Sequence, residues 1–560
     1  MHLTRRTFSA VSLAALPLTL AACSGQSNLD TGGENELPIA NCYNGAGSGF
    51  TKNFNPHSPT VMSMIQGLIY EPLFYYNPLE AIDVPPVPQL GESFEWNEDG
   101  TVLTITVRSG ATWSDETPFT AADVAFTFNA IRDNKTLNPA GTQPSAEAGD
   151  DTTVTLTYPE PSFVEGPNAL GRTWIIPEHL FSDIEDLATY ANEEPVGTGP
   201  FVLTDFTPES YLLMANDSYW EEGKPGIGGV RVQSLSGNQS GTDKWLAGEI
   251  DYTSTSMPNL DEHVANNPDL SYTNSPTSQC ALFAASNPEL GCKGPQTDPA
   301  VRRALYLGMD REQLSKLAFY DLGSDISPAF GLPERDKDFI DPSIDVAPWN
   351  ADVDGARAAL EDAGYELGSD GIYAKDGERV SMTISCPTGW SDFVTALDTL
   401  AQQYKEVGIE LTPQQVSVNE WNDAKSTGSF QLVIDSLGQG PAPDPYYLYH
   451  TFFSSDSTVP VGENGNPYQN SARFSDPDVD AALKVAAGTD DPEVKKEQYA
   501  IVQKIIVEQM PYIPVLIGSS LTEYNNSKIT GWPTQDDLYC YPMSWSAPDN
   551  AQVLKTVVPA

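Results

Sequence analysis

Residues 113–124 read Trp-Ser-Asp-Glu-Thr-Pro-Phe-Thr-Ala-Ala-Asp-Val, and this stretch decides the fold. Trp113 and Phe119 are placed to anchor a turn from either side, and Thr120-Ala121-Ala122-Asp123 has the form of a capping box. The box opens a predicted helix whose apolar positions are Val124, Phe126, Ala130 and Ile131. On the N-terminal side, Thr101 to Val107 (TVLTITV) alternates as a half-buried strand does.

The same grammar recurs further along. Thr297-Asp298-Pro299 starts a helix with proline in its first turn, continuing through Val301, Ala304 and Leu305, and Asp310 caps the next. From Ser391 to Val407 the residues Phe393, Val394, Leu397, Leu400 and Tyr404 keep helical spacing, Gly408 ends the helix, and Ile409-Glu410-Leu411 begins a strand. Helix, glycine turn and strand make an α/β unit. No period of about 20–50 residues repeats, which disfavours solenoids and propellers. Glycine and proline clusters at Pro195–Pro200, Gly291–Pro295 and Gly438–Pro445 mark candidate crossings between domains.

Length and charge bound the function. A chain of 560 residues exceeds what a single core normally supports, so two or three domains are expected. Lys and Arg number 29 against 77 Asp and Glu, for a formal charge of −48. Nucleic-acid binding takes its affinity from cations on phosphates, and this balance excludes it as a main function. A strongly charged surface also predicts a soluble monomer.

The N-terminus reads as an address. Thr4-Arg5-Arg6-Thr7-Phe8 is basic, and the apolar run Ala10 to Ala22 has 13 residues, shorter than the roughly 20 of a spanning helix. The run ends Leu20-Ala21-Ala22-Cys23, which resembles the lipobox of bacterial lipoproteins; the resemblance implies cleavage after residue 22 and a lipid on Cys23. The adjacent arginines and Phe8 also resemble a twin-arginine export signal. Residues 23–36 read as the lipidated cysteine and a polar tether. Loss of Arg5 and Arg6 leaves the mature chain at about −50. Export places Cys42, Cys280, Cys292, Cys386 and Cys540 in an oxidising compartment, and Cys280 with Cys292 is the candidate disulfide.

Several motifs in fixed order resemble the solute-binding proteins of bacterial ABC importers, in the large peptide/nickel/oligosaccharide branch called family 5. The 113–124 stretch is the most specific, and it departs from the family pattern with Glu116 where glycine is usual. The others are Ile69-Tyr70-Glu71-Pro72-Leu73, Pro195-Val196-Gly197-Thr198-Gly199-Pro200-Phe201, Asn216-Asp217-Ser218-Tyr219-Trp220 with Lys224-Pro225, Gly248-Glu249-Ile250-Asp251, and Val301-Arg302-Arg303-Ala304-Leu305 with Met309-Asp310-Arg311. The resemblance implies an α/β, two-lobed periplasmic-binding fold of type II with an extra inserted domain. Mapped onto this chain, domain I covers 37–76, 196–296 and 520–560, inserted domain II covers 77–195, and domain III covers 297–519. It also implies a binding protein rather than an enzyme, closing by hinge motion and docking on a membrane permease, with no cofactor.

Peptide is the ligand that family frequency favours, with oligosaccharide as the alternative. Many oligopeptide binders of the family carry an aspartate three residues before an Asp-Pro pair, pairing with the peptide's ammonium. Aligned on Asp444-Pro445, that position here is Pro441, so either Asp435 replaces it or the ligand has no free amine. The segments Ser236-Gly237-Asn238-Gln239, Gly389-Trp390-Ser391-Asp392 and Gly531-Trp532-Pro533-Thr534 look similar to the oligosaccharide-binding branch. Sugars suit aromatic platforms with amide partners, which makes Trp390, Tyr446, Tyr447 and Trp545 candidate platforms and Asn238 and Gln239 candidate partners. Trp532, before a proline, reads as a core plug.

Two other classes fall away. Asn350, Asp352, Asp354, Gly355 and Glu361 fit EF-hand spacing, but Arg357 sits where an aliphatic residue belongs and 356–363 reads as a helix ending at Gly364. No metal site is expected. Hydrolase signatures such as Gly-x-Ser-x-Gly and His-Glu-x-x-His are absent, and His2, His57, His179, His263 and His450 show no ligand spacing.

Overall fold

The computed structural model describes residues 37–43, 49–62, 64–138 and 141–560. The expected signal, lipidated Cys23 and tether lie outside the described residues.

The opening stretch forms as its chemistry dictates. The helix Ala121–Asp133 starts with Thr120 accepting from Ala122 N–H, while Asp123 Oδ2 accepts from Thr120 N–H at 3.0 Å. Trp113 and Phe119 are buried and meet edge to face at 6.1 Å. Between them Glu116 sits at φ +70°, a left-handed conformation that favours glycine.

Three sheets organise the chain. A seven-stranded sheet has the order Leu270–Asn274, Leu521–Asn525, Tyr252–Thr253, Ile39–Tyr43, Gly229–Gln233, Ser210–Ala215, Phe201–Phe206. A five-stranded sheet runs Glu410–Val416, Ser381–Pro387, Leu432–Leu437, Ser278–Ala284, Tyr512–Gly518. A four-stranded antiparallel sheet, Gly91–Trp96, Val102–Val107, Thr153–Thr157 and Ser145–Ala148, carries the Ala121–Asp133 helix. Each sheet has its own apolar core, the physical mark of separate folding bodies. We call the bodies around the seven-stranded and five-stranded sheets the first and second lobes. The boundary is not clean everywhere: Trp174, Ile176, Phe181 and Leu187 bury their side chains in the first lobe's core.

Where the inserted body joins, two backbones touch. Gly199 N–H donates to Ile69 O at 2.9 Å, Phe201 N–H donates to Leu68 O at 3.1 Å, and Gly197 O accepts from Ser114 N–H at 2.9 Å. A Cβ on Gly197 would lie 1.9 Å from Ile69 O, so only glycine allows the approach.

The two lobes are joined by two antiparallel crossings. One strand pair, Leu270–Asn274 with Leu521–Asn525, belongs to the first lobe, and its direct continuation, Ser278–Ala284 with Tyr512–Gly518, belongs to the second. Ser275 N–H donates to Ser520 O at 3.0 Å between them. The strand Ser278–Ala284, counted with domain I from the sequence, is thus a central member of the second lobe's sheet. The helix Ser391–Val407 ends at Gly408 with φ +102° and leads into Glu410–Val416 as its spacing requires. Residues Val353–Asp362 are helical and capped by Asp352, which leaves no calcium loop there.

One expectation is corrected. Cys280 and Cys292 are free thiols, both buried, and form no disulfide. From Cys280, the third residue of the strand Ser278–Ala284, the chain runs about 13 Å onward to Ala284 before the turn that holds Cys292. The other described cysteines, Cys42, Cys386 and Cys540, are also free and buried.

Candidate ligand-binding cleft

Two glycine turns meet where the lobes face each other. Gly237 (φ +140°) precedes the first-lobe helix Asn238–Leu246, and Gly389 (φ +90°) stands before Trp390, which caps the second-lobe helix Ser391–Val407. A Cβ on Gly237 would be 3.5 Å from Gly389 O, and one on Gly389 would be 3.8 Å from Ser236 O. Two of the three segments singled out in the sequence are therefore brought together.

Beside that contact the lobes share polar groups. Ser256 of the first lobe lies against Asp392 and Tyr320 of the second, and Tyr320 lies against Ser391. Burial pushes the Asp392 carboxyl above the ordinary carboxylate range, against the opposing pull of the Phe393 and Asp392 N–H groups and of Ser256. The Cys280 thiol lies within the field of both Asp392 and Asp435 and is pushed up, mostly by burial.

The second lobe supplies aromatic rings. Trp390 meets Phe393 at 5.8 Å and Trp421 at 5.5 Å, both edge to face. Trp421 lies on the helix Val418–Thr427, and four residues on, Lys425 places its Nζ 3.6 Å from the Trp421 ring centroid and 4.8 Å from that of Tyr468. The same ammonium donates to Asp435 Oδ2 at 2.7 Å.

The sequence candidates fare unequally. Trp390 is at the lobe contact. Asp435 is near it but already paired by Lys425. Asn238 opens the first-lobe helix at the contact; Gln239 is exposed there, but its amide donates to Asp243 along its own helix at 2.8 Å. Tyr446 and Tyr447 are corrections: both are buried rather than presented as platforms. Tyr446 stacks on His450, and Tyr447 donates its hydroxyl to Val164 O at 2.7 Å. Their helix is pinned because its cap, Asp444, accepts from Tyr446 N–H, from the Tyr499 hydroxyl at 2.6 Å and from Lys495 Nζ at 2.8 Å. Trp545 is exposed, its ring edge-on to Tyr541 at 6.0 Å, and Tyr541 accepts from the Thr277 hydroxyl at the first crossing. Trp532 is a core plug, stacked on Tyr252 and Tyr524.

Sequence reasoning missed Trp421, Lys425, Tyr468, Ser256 and Tyr320. The i, i+4 spacing of Trp421 and Lys425 on a capped helix was the signal available for two of them. Among the described residues no group of three or more His, Cys, Asp or Glu could hold a metal ion. What the lobes bring together is a site of aromatic rings and hydroxyls, with the Asp392 carboxyl and the Lys425–Asp435 pair beside them.

The family model of the bacterial extracellular solute-binding proteins, family 5, matches residues 85–459, two thirds of the chain. The chain belongs to that family, the solute-binding proteins of ABC importers, whose members bind solutes rather than transform them. It is 29% identical to protein XP55 of Streptomyces lividans over 427 residues, 74% of this chain and 73% of that one. It is 25% identical to the glutathione-binding protein GsiB of Salmonella paratyphi A over 463 residues, 79% and 82% of the two chains. Its fold is similar to that of a mannohexaose-bound periplasmic oligopeptide-binding protein of Thermotoga maritima, with TM-score 0.83 and 23% identity, covering 94% of this chain and 99% of that one. The fold is thus the mixed α/β, multi-domain periplasmic-binding fold of type II.

Proposed function

We propose that this protein captures an uncharged, hydroxyl-rich oligosaccharide between its lobes and delivers it to an ABC permease. The observation that carries the ligand reading is the Lys425–Asp435 pair. Asp435 is neutralised from within, Pro441 stands where a peptide-anchoring carboxylate would, and the half-buried ring of Trp390, which no cation covers, is the one offered for stacking. Hinge motion at the two crossings, 275–277 and 519–520, would open the lobes, with inserted domain 77–195 moving with its neighbours. A lipid on Cys23 would hold the monomer at the outer face of the membrane. That reading rests on the Arg5-Arg6 region, the short apolar run and Leu20-Ala21-Ala22-Cys23. No described helix is long and apolar enough to cross a membrane.

A short oligopeptide is the second reading. It is favoured by the glutathione-binding relative and by Asp392, a carboxyl at the lobe contact that a peptide ammonium could reach. Thermal-shift titration against mannohexaose, cellotriose, trialanine and N-acetyltrialanine separates the two. A sugar at a hundredfold excess over its Kd adds about 2.7 kcal/mol of stability. Stabilisation by trialanine alone overturns the oligosaccharide reading.

A further inference from the structure

Lys425 is fully buried, yet it lies in surroundings that proteins otherwise offer to a ligand's cation. Its ammonium has one aromatic face at 3.6 Å, a second at 4.8 Å and a carboxylate oxygen at 2.7 Å. Two rings and an anion around a primary ammonium make a cation cage. The ammonium itself is sealed, while the outer wall of the cage reaches solvent, Tyr468 being 63% exposed and the Asp435 side chain 19% exposed. It adjoins the cleft through Trp390, whose ring meets Trp421 at 5.5 Å. The buried Trp421 Nε1 and Asn422 Oδ1 have no hydrogen-bond partner, so the wall of the cage carries polar capacity that the fold itself does not use.

We infer that Lys425 is a specificity-determining residue: its side chain occupies an ammonium site of the protein's own making and thereby excludes ligands with a free primary amine. The inference rests on the reading of this cleft as the solute site and supplies its selectivity. A second ammonium would meet a carboxylate already neutralised and rings already covered. Selection then works by prior occupancy, because an uncharged solute loses nothing when the cage is full. Cutting Lys425 back to alanine leaves Asp435, Trp421 and Tyr468 around a space the size of an alkylammonium.

The test uses the full chain and three proteins: wild type, K425A and K425A/D435N. n-Propylammonium, which matches the end of the missing side chain, is expected to raise the melting temperature of K425A by several degrees at millimolar concentration. It should leave wild type and the double variant unmoved. K425A should also bind trialanine at least tenfold more tightly than N-acetyltrialanine, whereas wild type shows no such preference. If K425A does not fold unaided, n-propylammonium in the refolding buffer should restore it. Failure of both stabilisation and restoration overturns the inference. So does a tenfold preference of wild type for the free-amine peptide, which needs no variant. Mannohexaose binding by wild type is read separately: its absence removes the oligosaccharide reading and leaves the cage result standing.

Discussion

Replacing Glu71 with Gln should flatten the pH dependence of stability between about pH 5 and pH 8. Glu71 is buried where the inserted body joins the first lobe, accepting from the Tyr219 hydroxyl at 2.7 Å and from Trp220 Nε1 at 2.9 Å. Burial raises its carboxyl to about 7, although nearby Lys555 and these donors pull it down. The folded chain therefore holds this proton up to about pH 7, while the unfolded chain releases it near 4.5. The stability linked to that proton is fully present below 4.5 and is lost as pH rises through 7. The interval from 4.5 to about 7 corresponds to about 3.5 kcal/mol at about 1.4 kcal/mol per pH unit, of which somewhat less falls between pH 5 and pH 8. Asp251, Asp392, Glu523 and Asp549 are raised by burial too, so the quantity to measure is the difference between wild type and E71Q. Urea midpoints at pH 5 and pH 8 supply it, the wild type losing about 3 kcal/mol more than the variant. Parallel pH profiles for the two proteins would refute the assignment.

Other outcomes follow from single contacts. G197A drives a methyl group to 1.9 Å from Ile69 O and should cost about 3 kcal/mol or more, seen as an early melting transition. E116G relieves the left-handed φ of +70° and should stabilise by about 0.5–1 kcal/mol in urea titration. W532A removes a ring stacked on Tyr252 and Tyr524 and should cost about 3–5 kcal/mol without changing ligand affinity; W390A forfeits two edge-to-face contacts of a half-buried ring, should cost about 1–3 kcal/mol and should weaken the ligand about tenfold in calorimetry. Cys42, Cys280, Cys292, Cys386 and Cys540 are buried with their thiols pushed up, so a disulfide-exchange reagent should titrate none of them in the native chain and all five in guanidinium.

The parts legible in the sequence were those whose cause is local. The Thr120 box, the Asp298 and Asp310 caps and the Gly408 terminus each depend on neighbours within a turn or two, and each forms where its residues stand. Sheet membership does not work that way. Ser278–Ala284 belongs to the second lobe because its partners are Leu432–Leu437 and Tyr512–Gly518, which no nearby residue announces. The site divides similarly. Trp390 stands out because a glycine and a helix start precede and follow it. Tyr446 and Tyr447 have the composition of platforms, but Lys495 and Tyr499, about fifty residues on, tie down the cap of their helix and turn the rings inward. Asp435 reads as a free acid until helix Val418–Thr427 is laid over its strand and Lys425 reaches it.

The paired crossings between the lobes also set an order of events during synthesis. Both large sheets wait for strands near the end of the chain: Tyr512–Gly518 is an edge strand of one, and Leu521–Asn525 lies between Leu270–Asn274 and Tyr252–Thr253 in the other. Until the ribosome has released residue 525, Leu270–Asn274 has no neighbour in its sheet and Ser278–Ala284 exposes one unpaired edge. The nascent chain therefore stays incompletely closed for more than nine-tenths of its length, and truncation before residue 512 would leave both lobes open-edged and aggregation-prone.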